Sequence, residues 1–225
     1  MKKLFFLLIF FGYLSAEINW SDPNECKLPD HSIFVNKIIS NMTLEQKVGQ
    51  IIMPEINSIT PEEAKIFFLG TILNGGGGYP NQIKNSSIQD WKNLSKSYYE
   101  ASPEVNGIKI PILWGTDAVH GHNNVIGATI FPHNIALGAT RNEKLIKKIG
   151  GAVAKEVSST GIVWTFAPTI AVPQNDLWGR TYEGYSENPD LVTQLGKNFI
   201  LGLQGEGEDF LAKDFVLATA KHFLG

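Results

Sequence analysis

The chain predicts a mainly parallel α/β fold, a sheet or barrel rather than a sandwich or a helical bundle. Three observations point there. Helix starts alternate with short apolar runs of strand length. Each apolar run is followed by polar or glycine-rich residues. The residues best suited to chemistry sit directly after those runs, where functional groups lie in parallel α/β proteins. A length of 225 residues, with 43% hydrophobic and 18% charged side chains and no low-complexity tract, fits one globular domain.

In order along the chain, Met1-Lys2-Lys3, the apolar run Leu4 to Phe11 and the small pair Ser15-Ala16 form the layout of a secretory signal peptide, residues 1–16. The run is too short to span a bilayer and polar sequence follows it, so the expectation is export, to the periplasm or the medium, without a stable membrane anchor. Of 19 basic and 22 acidic side chains, loss of Lys2 and Lys3 leaves a net charge of −5, which argues against nucleic acid as a partner. Cys26 is the only cysteine, so no internal disulfide can form and the fold must rest on its core.

Within residues 17–225, helix starts are marked at Thr43-Leu44-Glu45-Gln46, Thr60-Pro61-Glu62-Glu63 and Thr140-Arg141-Asn142-Glu143, each a threonine three residues before Glu or Gln. Asn188-Pro189-Asp190 opens a fourth. The apolar runs Val48 to Met53, Gly70 to Leu73, Ile110 to Trp114, Gly161 to Ala167 and Phe215 to Ala220 read as strands, the third beginning as early as Ile108. Glu143 to Ser158 and Leu191 to Leu203 read as crossover helices, with Leu145, Ile146, Ile149, Val153 and Val157 along one helical face. About five βα units are thus used by Gly225, whereas a closed barrel of eight needs about 250 residues. A complete five-stranded doubly wound sheet is the alternative. An incomplete TIM-type (β/α) barrel is favoured, because the final residues are functional in character.

Four places carry candidate chemistry. Asp117 leaves a buried strand and is followed by His120, His122, Asn123 and Asn124, with His133 further on. A carboxylate among imidazoles and amides suits vicinal sugar hydroxyls, because it accepts two hydrogen bonds at once. His120 and His122 could instead ligate a metal, but His-x-His gives adjacent ligands only on an extended strand, and Gly121 suggests an irregular loop. His122 and His133 are read as tying that loop down by bonding backbone carbonyls. In Trp178 to Glu187, Arg180 presents a planar donor fork, Glu183 is placed to hold it, and Trp178, Tyr182 and Tyr185 fit either sugar stacking or loop packing. Lys221 and His222 end the last strand; both reach one ligand only if the backbone leaves the extended form, as across a cis peptide bond. Asn74 to Pro80 is read as a flexible glycine loop, since no phosphate-binding pattern is present.

These residues together carry a resemblance. Met42 to Gln50, Gly115 to Asn124, Ala128 to Pro132, Thr165 to Pro168, Trp178-Gly179-Arg180 with Tyr182-Glu183, and Lys221-His222-Phe223 occur in the order seen in glycoside hydrolase family 3. The chain resembles that family's amino-terminal barrel, in particular its exported β-glucosidases and exo-β-glucanases. The resemblance implies retaining hydrolysis that releases terminal non-reducing β-D-glucosyl residues from β-glucoside or β-glucan oligosaccharides, without an organic cofactor. It also implies that Asp117, Arg180, Lys221 and His222 hold the sugar, with His120, Glu183 and Tyr182 around them. No Asp or Glu here matches the family's nucleophile motif, so both catalytic carboxylates are expected beyond Gly225, and residues 17–225 alone are expected to be inactive. A non-catalytic sugar-binding remnant, or less favourably a metal-dependent hydrolase using His120 and His122, are the alternatives.

Overall fold

The computed structural model describes residues 30–222. The chain divides into two compact units, residues 1–37 and 38–225, and helix α1 (Ser32–Ser40) spans the division. The predicted signal segment and Cys26 lie outside the described residues. The sheet, the core and the cleft all belong to the second unit.

Side-chain caps start most of its helices. Thr43 opens α2 (Leu44–Gln50) and Thr60 opens α3 (Pro61–Ile66), each with a reciprocal capping box and Pro61 in the first turn of α3. β1 (Thr71–Asn74) follows, then α4 (Ile88–Glu100), opened by a third capping box from Ser87 and Asp90 that the sequence reading overlooked. β2 (Glu104–Val105), β3 (Ile108–Lys109), β4 (Leu113–Thr116), α5 (Asn134–Ala139), α6 (Glu143–Ser159), β5 (Trp164–Thr165) and α7 (Pro189–Gln204) complete the order. Asn188 caps α7 with Pro189 in its first turn, as the sequence predicts.

The sheet is parallel, in the order β1-β4-β5. Parallel bridges Glu55↔Leu73 and Trp164↔Leu217 extend it by one segment on each side. Five parallel segments in chain order, separated by helices, form an incomplete (β/α) barrel. Among the described residues, no helix is long and apolar enough to cross a membrane.

Several expected boundaries are corrected. Val48 to Met53 is not a strand: the Thr43 cap launches a helix that continues through Gln50, and the sheet partner lies later, where the Pro54 carbonyl accepts from Leu73 N (3.0 Å) and Ile56 N donates to Leu73 O (2.9 Å). A side chain on Gly49 of α2 would collide with the Phe67 carbonyl, so the small residue lets the two segments touch. Ile108 to Trp114 is not one strand. Ile108–Lys109 pairs antiparallel with Glu104–Val105 across Asn106 and Gly107, both at positive φ, and only Leu113–Thr116 joins the main sheet. Asn142, not Thr140, caps α6, its side chain accepting from Leu145 N (3.0 Å), while Thr140 closes α5. Leu145 lies outside the buried face of α6, which consists of Ile146, Ile149, Val153 and Val157 with Gly150 and Ala154.

The core fills the space between sheet and helices. Ile72 and Trp114 from the strands meet Trp91 and Tyr98 of α4, whose rings pack on Trp114 at centroid distances of 6.0 and 5.8 Å. α6 and α7 pack through Ile146, Val153, Leu195, Phe199 and Leu203, each side chain contributing about 1.5–3 kcal/mol on full burial. Gly150 and Gly202 let these helices approach closely: a Cβ on Gly150 would lie 2.5 Å from the Phe199 carbonyl, and one on Gly202 would strike that of Lys147.

Candidate functional site

Residues that follow β4, β5 and the last parallel segment line one polar cleft. Asp117 directly follows β4, and the β4 and β5 ends are locked together there. The Thr165 hydroxyl donates to the Thr116 carbonyl (3.1 Å), Phe166 N donates to the same oxygen (2.9 Å), and Ala118 N donates to Thr165 Oγ1 (3.2 Å). Lys221 and His222 arrive on the last segment, which is fastened to the chain after β5 by Thr219 N to Ala167 O (2.9 Å) and Lys221 N to Pro168 O (3.0 Å). The Lys221–His222 peptide is cis, as the sequence reading supposed. Arg180 precedes and Glu183 ends a 3-10 turn (Thr181–Glu183) packed against α5, where buried Asn134 donates through Nδ2 to the Glu183 carbonyl (2.8 Å).

Two ion pairs define the charge of the cleft. Lys221 Nζ donates to Asp117 Oδ1 at 2.6 Å. Arg180 grips Glu183 with both prongs, Nε to Oε1 at 2.6 Å and Nη2 to Oε2 at 2.8 Å. The guanidinium beside Glu183 holds that carboxyl below its ordinary range, against the opposing effect of burial. Arg180 Nη2 also reaches His222 Nε2 at 3.1 Å. Burial, then Arg180 and Lys221, keep the His222 imidazole below its ordinary pKa, while Glu183 and Asp117 partly offset them.

Aromatic rings supply another part of the lining. His120 donates through Nδ1 to the Phe131 carbonyl (2.9 Å), which can only accept. His133 stacks on His120 at 4.0 Å and meets Tyr182 edge-on at 4.7 Å. Burial, then His120, lower the pKa of His133. Asp117, His120, Asn123, His133, Arg180, Tyr182, Glu183 and Lys221, with Val119, enclose about 260 Å³. A hollow of about 590 Å³ between α2 and α3 is lined mainly by apolar side chains and offers little for a polar ligand to bond.

The structure therefore gathers Asp117, Arg180, Lys221 and His222 at one rim, with His120, Glu183 and Tyr182 beside them. It separates the His-x-His pair. His120 lines the cleft, whereas His122 is fully buried against Trp91, with Nε2 on the Thr160 hydroxyl (3.1 Å), so the two imidazoles cannot share a metal. Among the described residues, no group of three or more His, Cys, Asp or Glu could hold a metal ion. His133 is also corrected: it stacks in the cleft wall. Tyr185 is core rather than a stacking platform. Asn134, which anchors Glu183, was overlooked, and its only sequence signal is an amide at the start of a short helix after Pro132-His133.

The fold is that of an incomplete (β/α) barrel whose polar and charged groups gather near the carboxyl ends of its strands. The chain belongs to glycosyl hydrolase family 3: residues 43–225 match the glycosyl hydrolase family 3 N terminal domain. It is similar to a lysosomal beta glucosidase of Dictyostelium discoideum, 32% identical over 230 residues that cover 95% of this chain and 28% of that protein. A periplasmic beta-glucosidase of Salmonella typhimurium is 25% identical over 192 residues, covering 84% of this chain and 23% of that protein. Among solved structures, an exo-1,3/1,4-beta-glucanase from a Pseudoalteromonas species superposes with a TM-score of 0.81 at 50% identity, over 86% of this chain and 24% of that one. The chain thus spans less than a third of the length of each relative.

Proposed function

We propose that this chain supplies the sugar-binding part of a β-glucosidase-type glycoside hydrolase, which releases terminal non-reducing β-D-glucosyl residues from β-glucosides or β-glucans. One observation carries the reading: Asp117 and Lys221 from two strand ends and Arg180 from the loop after β5 line a single cleft of about 260 Å³, and His222 adjoins them through Arg180 Nη2 at 3.1 Å. Paired charges that still have hydrogen-bonding capacity suit a neutral, hydroxyl-rich ring better than an apolar or highly charged ligand. The names of the relatives, beta-glucosidases and an exo-glucanase, support the same substrate class.

Retaining hydrolysis needs a nucleophilic carboxylate and a separate acid/base. Asp117 and Glu183 are each committed to a cation at 2.6 Å, which suits holding and orienting rather than attack. We assign them to binding, and place the reacting carboxylates elsewhere in the whole protein. Export through residues 1–16 belongs to the same proposal, in keeping with the periplasmic and lysosomal names of two relatives.

The test is hydrolysis of an aryl β-glucoside by purified residues 17–225. No turnover is expected, together with measurable binding of the sugar. Turnover that Asp117→Asn abolishes would overturn the assignment.

A further inference from the structure

We infer that Glu183 is a positioning residue which, by fixing the Arg180 fork, selects the neutral Nδ1–H tautomer of His222. The inference rests on the reading that Arg180 and His222 hold a sugar, but its geometry stands apart from any ligand. Arg180 presents Nε and Nη2 to the two oxygens of Glu183 at 2.6 and 2.8 Å, which fixes the guanidinium plane. The remaining hydrogen of Nη2 is then available to His222 Nε2 at 3.1 Å. A guanidinium has five donors and no acceptor, so Nε2 must accept. The ring proton is thereby placed on Nδ1, and His222 offers one donor there. A charged imidazole, or the Nε2–H tautomer, would set N–H against N–H.

Every charged group near His222 fits this arrangement. Arg180 and its chain neighbour Lys221 disfavour a third positive charge, and the carboxylates that could favour one, Glu183 and Asp117, are already engaged with those two cations. Glu183 is anchored from behind by Asn134 on α5 and is mostly buried, whereas the Arg180 side chain is about half exposed. Left alone, a long exposed arginine samples many rotamers, so its orientation must come from its partner. The hold runs from α5 through Asn134, Glu183 and Arg180 to His222. Its consequence for recognition is specific: a hydroxyl that approaches His222 at Nδ1 meets a donor and must accept.

The test is the long-range ¹H–¹⁵N NMR spectrum of the 225-residue chain labelled at histidine, recorded at pH 7 without sugar. A neutral His222 with a protonated Nδ1 and a bare Nε2 is expected. Glu183→Ala should move His222 toward the Nε2–H form that free imidazoles prefer. Glu183→Gln, which keeps the volume and one acceptor, should give an intermediate population. Buried His122, which donates through Nε2 to Thr160, serves as the internal reference for an intact fold. A wild-type His222 that is charged or protonated at Nε2 would overturn the inference. So would Glu183 variants that leave its tautomer unchanged. Failure to bind a glucoside would count against the sugar reading and leave these spectra untouched.

Discussion

Lys221 Nζ lies 2.6 Å from Asp117 Oδ1, an ion pair that joins the ends of two strand segments 104 residues apart in the chain. The Lys221 side chain is largely covered and that of Asp117 is 46% exposed, so Asp117 can hold the lysine and still accept from a ligand. Asp117→Asn, which keeps the shape and removes the charge, is expected to weaken glucoside binding about tenfold or more, roughly 1.4 kcal/mol. Calorimetric titration of wild type and variant measures it. Equal affinities would mean that the carboxylate does not touch the sugar.

Acid should destabilise the fold through His122. This ring is fully buried and donates through Nε2 to the Thr160 hydroxyl, which itself donates to the Val157 carbonyl (2.6 Å). Burial depresses its pKa to about 4, against about 6.5 for a solvated imidazole. Between those values the unfolded chain binds one more proton than the folded one, so stability is full above pH 6.5 and falls as the pH drops toward 4, by about 3 kcal/mol in all. Urea unfolding at pH 7, 5.5 and 4.5 reads this loss. His122→Asn should flatten that part of the curve.

Two glycines near the same helix crossing should respond with opposite sign to the same substitution. A methyl on Gly202 of α7 would strike the Lys147 carbonyl of α6, whereas one on Gly151 of α6 would rest 3.7 Å from the Gly202 carbonyl, an ordinary contact. Gly202→Ala is expected to destabilise by about 1–3 kcal/mol through overpacking. Gly151→Ala should stabilise by about 0.5–1 kcal/mol, because alanine favours the helix. Thermal or denaturant melts of the two variants decide it, and matching shifts would refute the packing described for α6 and α7.

Asp117, Lys221 and His222 stand out in the chain because a charged or imidazole side chain directly after a buried apolar run has few structural reasons to be there, whereas Arg180 stands out by its donor fork three residues from Glu183 in an aromatic-rich loop. The helix caps are legible where one residue has no rival, as at Thr43, Thr60 and Asn188. Thr140 misleads because Asn142, two positions on, is an equally good cap, and the choice depends on where α5 ends. Val48 to Met53 misleads because a short apolar run is the same whether it ends a helix or forms a strand, and only the pairing of Leu73 with Pro54 to Ile56 decides. The separation of His120 from His122 is not legible, since it depends on how the loop folds around Gly121 at positive φ. Asn134 escapes notice because its bond is to the backbone of Glu183, 49 residues away.

Titration of the 225-residue chain with methyl β-D-glucopyranoside, followed through its imidazole NMR signals, tests the convergence of these groups on one sugar most directly. Saturable shifts at His120, His133 and His222, with buried His122 unmoved and the response lost in Arg180→Ala, are predicted. No saturable shift in the wild type, or a response that survives Arg180→Ala unchanged, would contradict it.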